Sequence, residues 1–126
     1  MLILDSGGVS LLADRSPRSV GWVSTLRDEG LWPPHVPTVV LVDCLQGHVG
    51  RDALANRVLK LCEILDHVPE IIARRAAQLR RLARKGSAVD ALVVALAEPG
   101  GAVLTSGHDD LEALASHANG VAILRA

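Results

Sequence analysis

The sequence of 126 residues contains no phenylalanine and no tyrosine, and Trp22 and Trp32 are its two aromatic residues. This scarcity argues against a platform of exposed rings that stacks the bases of single-stranded nucleic acid. Its two cysteines, Cys44 and Cys62, lack partners at zinc-ligand spacing, so we expect buried free thiols. No apolar run approaches the roughly 20 residues that span a bilayer, and no signal-peptide pattern is visible. We therefore expect a cytoplasmic protein without a membrane segment.

What the sequence has in abundance is small and branched apolar residues, which bring the hydrophobic fraction to 49 %. The length suits one compact domain, covering residues 1–126. The net charge of −1 does not point to a class of partner. The charges are nevertheless uneven along the chain, because residues 74–85 carry basic side chains without an acidic one among them.

Short apolar segments alternate with amphipathic ones along the whole chain. The segments typical of strands are MLIL, HVP, EILDHVP, AVLTS and GVAILRA. Helical patterns lie between them, with a break at Lys85-Gly86 and with Ser87 placed as a helix cap. Gly7 and Gly8 predict a turn after the first strand. The alternation predicts an α/β domain with a parallel sheet of four to five short strands covered by helices on both faces.

Five aspartates fall near strand ends or helix starts in this pattern. Asp5 ends the first strand, Asp43 lies one turn into the helix after the second strand, and Asp90 begins the helix that leads into the fourth. Asp109 and Asp110 follow that fourth strand. In open parallel sheets, ligands bind beyond the carboxyl ends of the strands. Clustered carboxylates need a cation, and oxygen ligands suit Mg²⁺ or Mn²⁺.

Each acid also has a structural interpretation. Asp5 before Gly-Gly suits a turn, Asp90 is favourable at a helix N-terminus by the helix dipole, and Asp109 resembles half of a helix cap. A charge that ends a buried strand is costly without a partner, which favours a functional role for Asp5. Asp43, flanked by apolar residues, is also difficult to explain as a surface residue.

Four segments together resemble one known family. LILDSGGVSLLA, VPTVVLVDCLQG, GSAVDALVVALA and VLTSGHDDLEALA are similar in order and spacing to PIN-domain proteins, and more narrowly to the VapC-like toxins of bacterial toxin–antitoxin modules. The resemblance implies a three-layer α/β/α fold and a Mg²⁺- or Mn²⁺-dependent endoribonuclease. It also implies a homodimer and an antitoxin whose C-terminal part covers the active-site groove.

The same resemblance assigns roles to the acids. Asp5 matches the first acid of the family pattern and Asp90 the third, whereas Asp43 stands where the family usually has glutamate. Asp110 matches a further acid of many relatives, and Asp109 is its neighbour. By this resemblance Asp5, Asp43, Asp90 and Asp110 are the catalytic and metal-binding residues, with Asp109 as an additional ligand.

One position departs from the family pattern. The usual Thr-Ser-Asp is Thr105-Ser106-Gly107 here, and Gly107 supplies no ligand. Two functions therefore stay open: a metal-dependent ribonuclease, or a catalytically weakened protein of the same fold that binds RNA or a partner protein. A phosphotransfer domain with Asp5 as nucleophile is a weaker alternative, because Gly7 stands where such enzymes carry a second aspartate.

The remaining candidates surround this site. Thr105 and Ser106 are hydroxyls that could hold a carboxylate or a metal-bound water, although Ser106 also suits a helix cap. His108 could bind a metal ion or carry a proton, but a surface histidine in a turn is the simpler interpretation. Contacts with an RNA backbone, or else a solvated helix face, would explain the basic residues Arg80, Arg81, Arg84 and Lys85.

Overall fold

The computed structural model describes residues 1–107 and 109–125, so His108 and Ala126 lie outside the described part. Five strands are present in this part: β1 (Leu2–Leu4), β2 (His35–Pro37), β3 (Glu63–Leu65), β4 (Ala102–Thr105) and β5 (Ala122–Arg125). The helices there are α1 (Ser6–Ala13), α2 (Pro17–Asp28), α3 (Thr38–Cys44), α4 (Ala53–Leu59), α5 (Glu70–Ala83), α6 (Ala88–Ala97) and α7 (Asp109–Ala115). None of these helices is long and apolar enough to cross a membrane.

The strands form one parallel sheet in the order β3-β2-β1-β4-β5. Starting from β1, the chain adds β2 and β3 on one side of it and then β4 and β5 on the other side. The switch point of the sheet therefore lies between β1 and β4, where a parallel α/β fold offers a crevice beyond the carboxyl ends of the strands. In register, Leu4 pairs with Leu104.

Helices cover both faces of this sheet, as the alternating pattern predicts. Helix α1 packs with α2, α3 and α4 on one face, and α5, α6 and α7 pack together on the other. The two central strands are completely buried, so apart from Thr105 at the end of β4 their side chains are apolar on both faces. The structure is thus a three-layer α/β/α arrangement.

The segment after β1 differs from the predicted turn. Helix α1 begins at Ser6 and contains both Gly7 and Gly8. The reason is close packing: a Cβ on Gly8 would overlap the carbonyl oxygen of Leu104 in β4. Glycine therefore lets α1 lie directly against the neighbouring strand, and the chain enters the helix immediately after Asp5.

Candidate functional site

The side chain of Asp5 lies at the carboxyl end of β1 and is 6 % exposed. Its extended backbone ends the strand and makes it the N-cap of α1, with Oδ1 accepting a hydrogen bond of 2.7 Å from the Gly8 N–H. A capping carboxylate satisfies a backbone donor of the first helical turn and interacts favourably with the helix dipole. The fold thus places an acidic group in a buried position at the switch point.

Thr105 holds the other oxygen of this carboxylate. It ends β4, is buried, and its Oγ1 donates a hydrogen bond of 2.8 Å to Asp5 Oδ2. The pairing of β1 with β4 brings together two residues that are far apart in the sequence. Ser106 follows at the surface, where its Oγ lies 2.5 Å from the position of a Cβ on Gly7. Both hydroxyl residues therefore lie beside Asp5.

Asp90 occupies the third position of α6 and is half-buried. Its Oδ2 accepts a hydrogen bond of 3.2 Å from the Ser87 N–H, while the Asp90 N–H donates to Ser87 Oγ at 3.0 Å. This reciprocal pair is a capping box, so Ser87 caps the helix as the sequence predicts. Because α6 runs back into β4, its first turn lies at the carboxyl edge of the sheet.

The other acids are placed less favourably. Asp43 is exposed near the end of α3, while Asp110 is half-buried in the first turn of α7. Asp109 is exposed and accepts a hydrogen bond of 3.0 Å from Arg125 Nη2. Over residues 1–107 and 109–125, no three histidine, cysteine, aspartate or glutamate side chains lie close enough together to hold a metal ion. Among the five candidate aspartates, Asp5 is the one that is buried at the switch point of the sheet.

A guanidinium group lies beside the position that lacks an acid. Gly107 has a φ of +107°, and a Cβ there would lie 3.5 Å from Nη2 of Arg125. Arg125 is the register partner of Thr105 in the sheet. No signal in the sequence marks Arg125, because its proximity to Gly107 depends on the pairing of β4 with β5.

The basic residues of α5 and of the segment that follows it divide into two groups. Arg75 forms hydrogen bonds of 2.9 Å with both oxygens of Glu98, and Arg80 Nε donates to the Gly86 carbonyl at 3.0 Å. Arg81, Arg84 and Lys85 are exposed. They lie where α5 leads into α6, on the edge of the sheet that carries Asp90.

The two cysteines are half-buried free thiols, rather than fully buried ones. Burial raises the pKa of Cys62 to about 11, and burial likewise raises the pKa of Cys44. Both thiols are therefore protonated at neutral pH, which makes them poor nucleophiles and poor metal ligands. The chemistry of the site rests on carboxylates, hydroxyls and guanidinium groups.

Comparisons with known proteins extend the assignment of the fold. No model of a protein family and no curated protein matches the sequence. Among solved structures, the chain is similar to FitAcB from Neisseria gonorrhoeae, with a TM-score of 0.66 and 21 % sequence identity. The match covers 99 % of this chain and 97 % of that chain. The similarity confirms the α/β/α architecture, and the fold is PIN-like.

Proposed function

We propose that this protein is a toxin-type endoribonuclease that hydrolyses RNA phosphodiester bonds with Mg²⁺ or Mn²⁺. The observation that carries the proposal is the Asp5 carboxylate, buried at the switch point and held by Thr105 Oγ1 at 2.8 Å and the Gly8 N–H at 2.7 Å. Burying a carboxylate is costly without partners, and these two hydrogen bonds orient it. An oriented carboxylate at this edge is what a PIN-like nuclease needs.

We propose a weak magnesium site at this edge of the sheet. Mg²⁺ keeps several waters and binds through one or two carboxylates together with substrate phosphates, so a cluster of three acids is not required. We propose that Asp5 holds the ion with help from Asp90 and Asp110, and that Asp43 acts through water. Asp109 contributes less, because it is paired with Arg125. When bound, the ion supplies an activated water and stabilises charge on the phosphate.

The protein's own groups have separate tasks in this proposal. Thr105 fixes the direction of the Asp5 carboxylate, which is the usual role of an outer hydroxyl at a metal site. Ser106 presents a hydroxyl beside it at the surface. The exposed cations Arg81, Arg84 and Lys85 neutralise phosphates of the RNA backbone, and this contact is independent of base sequence.

The proposed partners are an antitoxin and a second copy of this chain. A groove of about 530 Å³ lies between α3, α4 and β3, with Leu41, Leu45, Val49 and Ile64 among its lining residues. Val49 is almost completely exposed. Exposed apolar surface of this kind is typical of protein interfaces, which supports a protein partner for this fold.

A second candidate is a protein of the same fold that binds RNA without cleaving it. It is favoured by Gly107, which leaves the family's usual fourth acid unfilled, and by the guanidinium of Arg125 beside that position. The two candidates share RNA binding and differ in phosphodiester hydrolysis. They are therefore separated by one cleavage assay.

The assay follows cleavage of a mixed-sequence RNA with Mg²⁺, with Mn²⁺ and with EDTA. We expect cleavage that needs the metal ion and that falls by at least about a hundredfold in Asp5→Asn, because loss of an outer partner of a metal ligand already costs up to that much. Asparagine retains N-cap ability, so the variant should stay folded, which circular dichroism checks. The control is Asp66→Asn, an exposed loop carboxylate, which should cleave like the wild type.

Two other results would decide against this function. Cleavage that persists in EDTA and in Asp5→Asn would identify a contaminating nuclease or a different site. RNA binding without cleavage under all three conditions would establish the binding protein instead.

A further inference from the structure

The guanidinium of Arg125 lies at the gap that Gly107 leaves. A Cβ on Gly107 would be 3.5 Å from Arg125 Nη2 and 3.9 Å from Nε. A positive group thus stands where the family pattern places the side chain of an acid. With a positive group in place of a negative one, this edge of the sheet can bind an anion. A planar guanidinium matches the oxygens of a phosphate.

Two acids of α7 hold this guanidinium in place. Asp109 Oδ1 accepts from Nη2 at 3.0 Å, and Glu112 Oε1 accepts from Nη1 at 3.1 Å. The side chains of Arg125, Asp109 and Glu112 are 36 %, 83 % and 50 % exposed. Ion pairs this exposed contribute little to stability, because water screens them. A phosphate can therefore take the place of either carboxylate.

The segment Ser106-Gly107 lies near both Asp5 and Arg125. Ser106 connects them: it precedes Gly107 in the chain, and its Oγ lies beside Gly7, whose Cβ position is 3.3 Å from Asp5 Oδ1. On the other side of Ser106, an open groove of about 480 Å³ runs along α1 to Arg18. A phosphodiester backbone that follows this groove meets Ser106, the residue directly before Gly107.

We propose that Arg125 binds a phosphate of the RNA backbone next to Asp5, and that Asp109 and Glu112 hold its guanidinium beside Gly107 until RNA displaces them. This inference rests on the proposed action on RNA. It makes Arg125 a binding residue of the same site. It also gives Asp109 and Glu112 an opposing effect, because each acid competes with phosphate for the same donors.

The experiment measures binding of a fluorescent RNA by anisotropy at several salt concentrations, in EDTA, which removes the metal ion that the proposed cleavage needs. Arg125→Ala should weaken binding about tenfold and reduce the slope of log affinity against log salt by about 1. Arg125→Lys should recover part of the affinity, because lysine keeps the charge but not the planar donors. Glu112→Gln should tighten binding about threefold, because it removes a competitor.

The chain contains a matched control pair. Arg74 and Glu70 form an exposed ion pair of 2.7 Å on α5. Arg74→Ala and Glu70→Gln therefore change the net charge by the same amounts as Arg125→Ala and Glu112→Gln. Both should change RNA affinity less than twofold. Equal effects at the control pair and at Arg125 and Glu112 would mean that only net charge matters, and would overturn the inference.

Other outcomes distinguish this inference from the proposed function. If Arg125→Ala and Glu112→Gln change only the melting temperature, the ion pairs merely join α7 to β5 and the inference is wrong. If the wild type cleaves RNA and Arg125→Ala cleaves and binds it equally well, the inference fails while the ribonuclease stands. If the wild type neither binds nor cleaves RNA, both are rejected.

Discussion

The carboxylate of Asp52 organises the loop between α3 and α4. It accepts hydrogen bonds from three successive backbone N–H groups, those of Gln46 and Gly47 at 2.9 Å and that of His48 at 3.1 Å. These bonds, that from Gln46 first, lower the pKa of Asp52 below its ordinary value. The sequence offers a weak signal for it, since an aspartate before Ala-Leu-Ala suits a helix N-cap. Its actual role, holding the preceding loop, is not visible in that pattern.

The lowered pKa of Asp52 determines how its effect depends on pH. The unfolded chain has the ordinary pKa of about 3.9, so the folded state binds the proton less readily. The stability that Asp52 contributes is present above that value and is lost as the pH falls through the lower, folded pKa. Asp52→Asn should therefore lower the free energy of unfolding at pH 7 and have progressively less effect towards pH 3.

Urea denaturation of the wild type and Asp52→Asn at several pH values tests this expectation. Asp66→Asn serves as the control, because Asp66 is an exposed loop residue, and it should change stability little at any pH. A difference between the wild type and Asp52→Asn that is the same at pH 7 and pH 3 would show that the loop does not depend on the ionised carboxylate.

Among the elements, α1 depends on glycine for its distance from the sheet. A Cβ on Gly8 would overlap the Leu104 carbonyl oxygen and lie 3.1 Å from the Leu104 carbonyl carbon, both in the backbone of β4. Alanine is favoured over glycine within a helix by about 1 kcal/mol. The backbone of a buried central strand cannot move aside, so the overlap outweighs that gain.

We expect Gly8→Ala to lower the free energy of unfolding by about 1–3 kcal/mol, the usual cost of overpacking. Gly21→Ala is the matched control in α2, because a Cβ there would meet no atom within 4 Å. That variant should be neutral or more stable by up to about 1 kcal/mol. Chemical denaturation measures both, and a stabilised Gly8→Ala would show that α1 can shift away from β4.

The elements themselves follow closely from the sequence. Apolar periodicity predicts all five strands, and Ser87 caps α6 as predicted. The prediction of a turn at Gly7-Gly8 was wrong, because glycine has two different structural roles. It breaks elements where the backbone needs freedom, and it permits close contact where two elements meet. Only the packing of α1 on β4 distinguishes the two.

At the scale of the whole molecule, the candidate site is less predictable than the fold. The hydrogen bond from Thr105 to Asp5 and the proximity of Arg125 to Gly107 depend on strand order and register. Hydrophobic periodicity encodes neither of these. The exposure of Asp43 could not be predicted either, because the nearly continuous apolar run of α3 does not indicate which face is buried. Sequence therefore locates the acids along the chain, and the sheet determines which of them meet.

A partly buried ion pair joins distant parts of the molecule on the side opposite the site. Glu98, at the end of α6, accepts hydrogen bonds of 2.9 Å from Nε and Nη2 of Arg75 in α5 and one of 2.8 Å from the Asn119 N–H. Arg75 Nη2 also donates to the His117 carbonyl at 3.1 Å. These bonds, that from Arg75 first, lower the pKa of Glu98. The pair thus connects α5, α6 and the turn before β5.

Glu98→Gln tests how much this connection contributes to stability. Hydrogen bonds to charged groups contribute about 1.5–3 kcal/mol, and glutamine keeps one acceptor, so we expect a loss of about 1–2 kcal/mol in the free energy of unfolding. Glu70→Gln removes the charge from the exposed Arg74 pair and should have no measurable effect, because that pair is screened by water. Denaturant titration of both variants, with hydrogen exchange of the Asn119 amide, provides the measurement. Equal stability of the two variants, with Asn119 still protected in Glu98→Gln, would mean that apolar packing alone holds α5, α6 and the turn before β5 together.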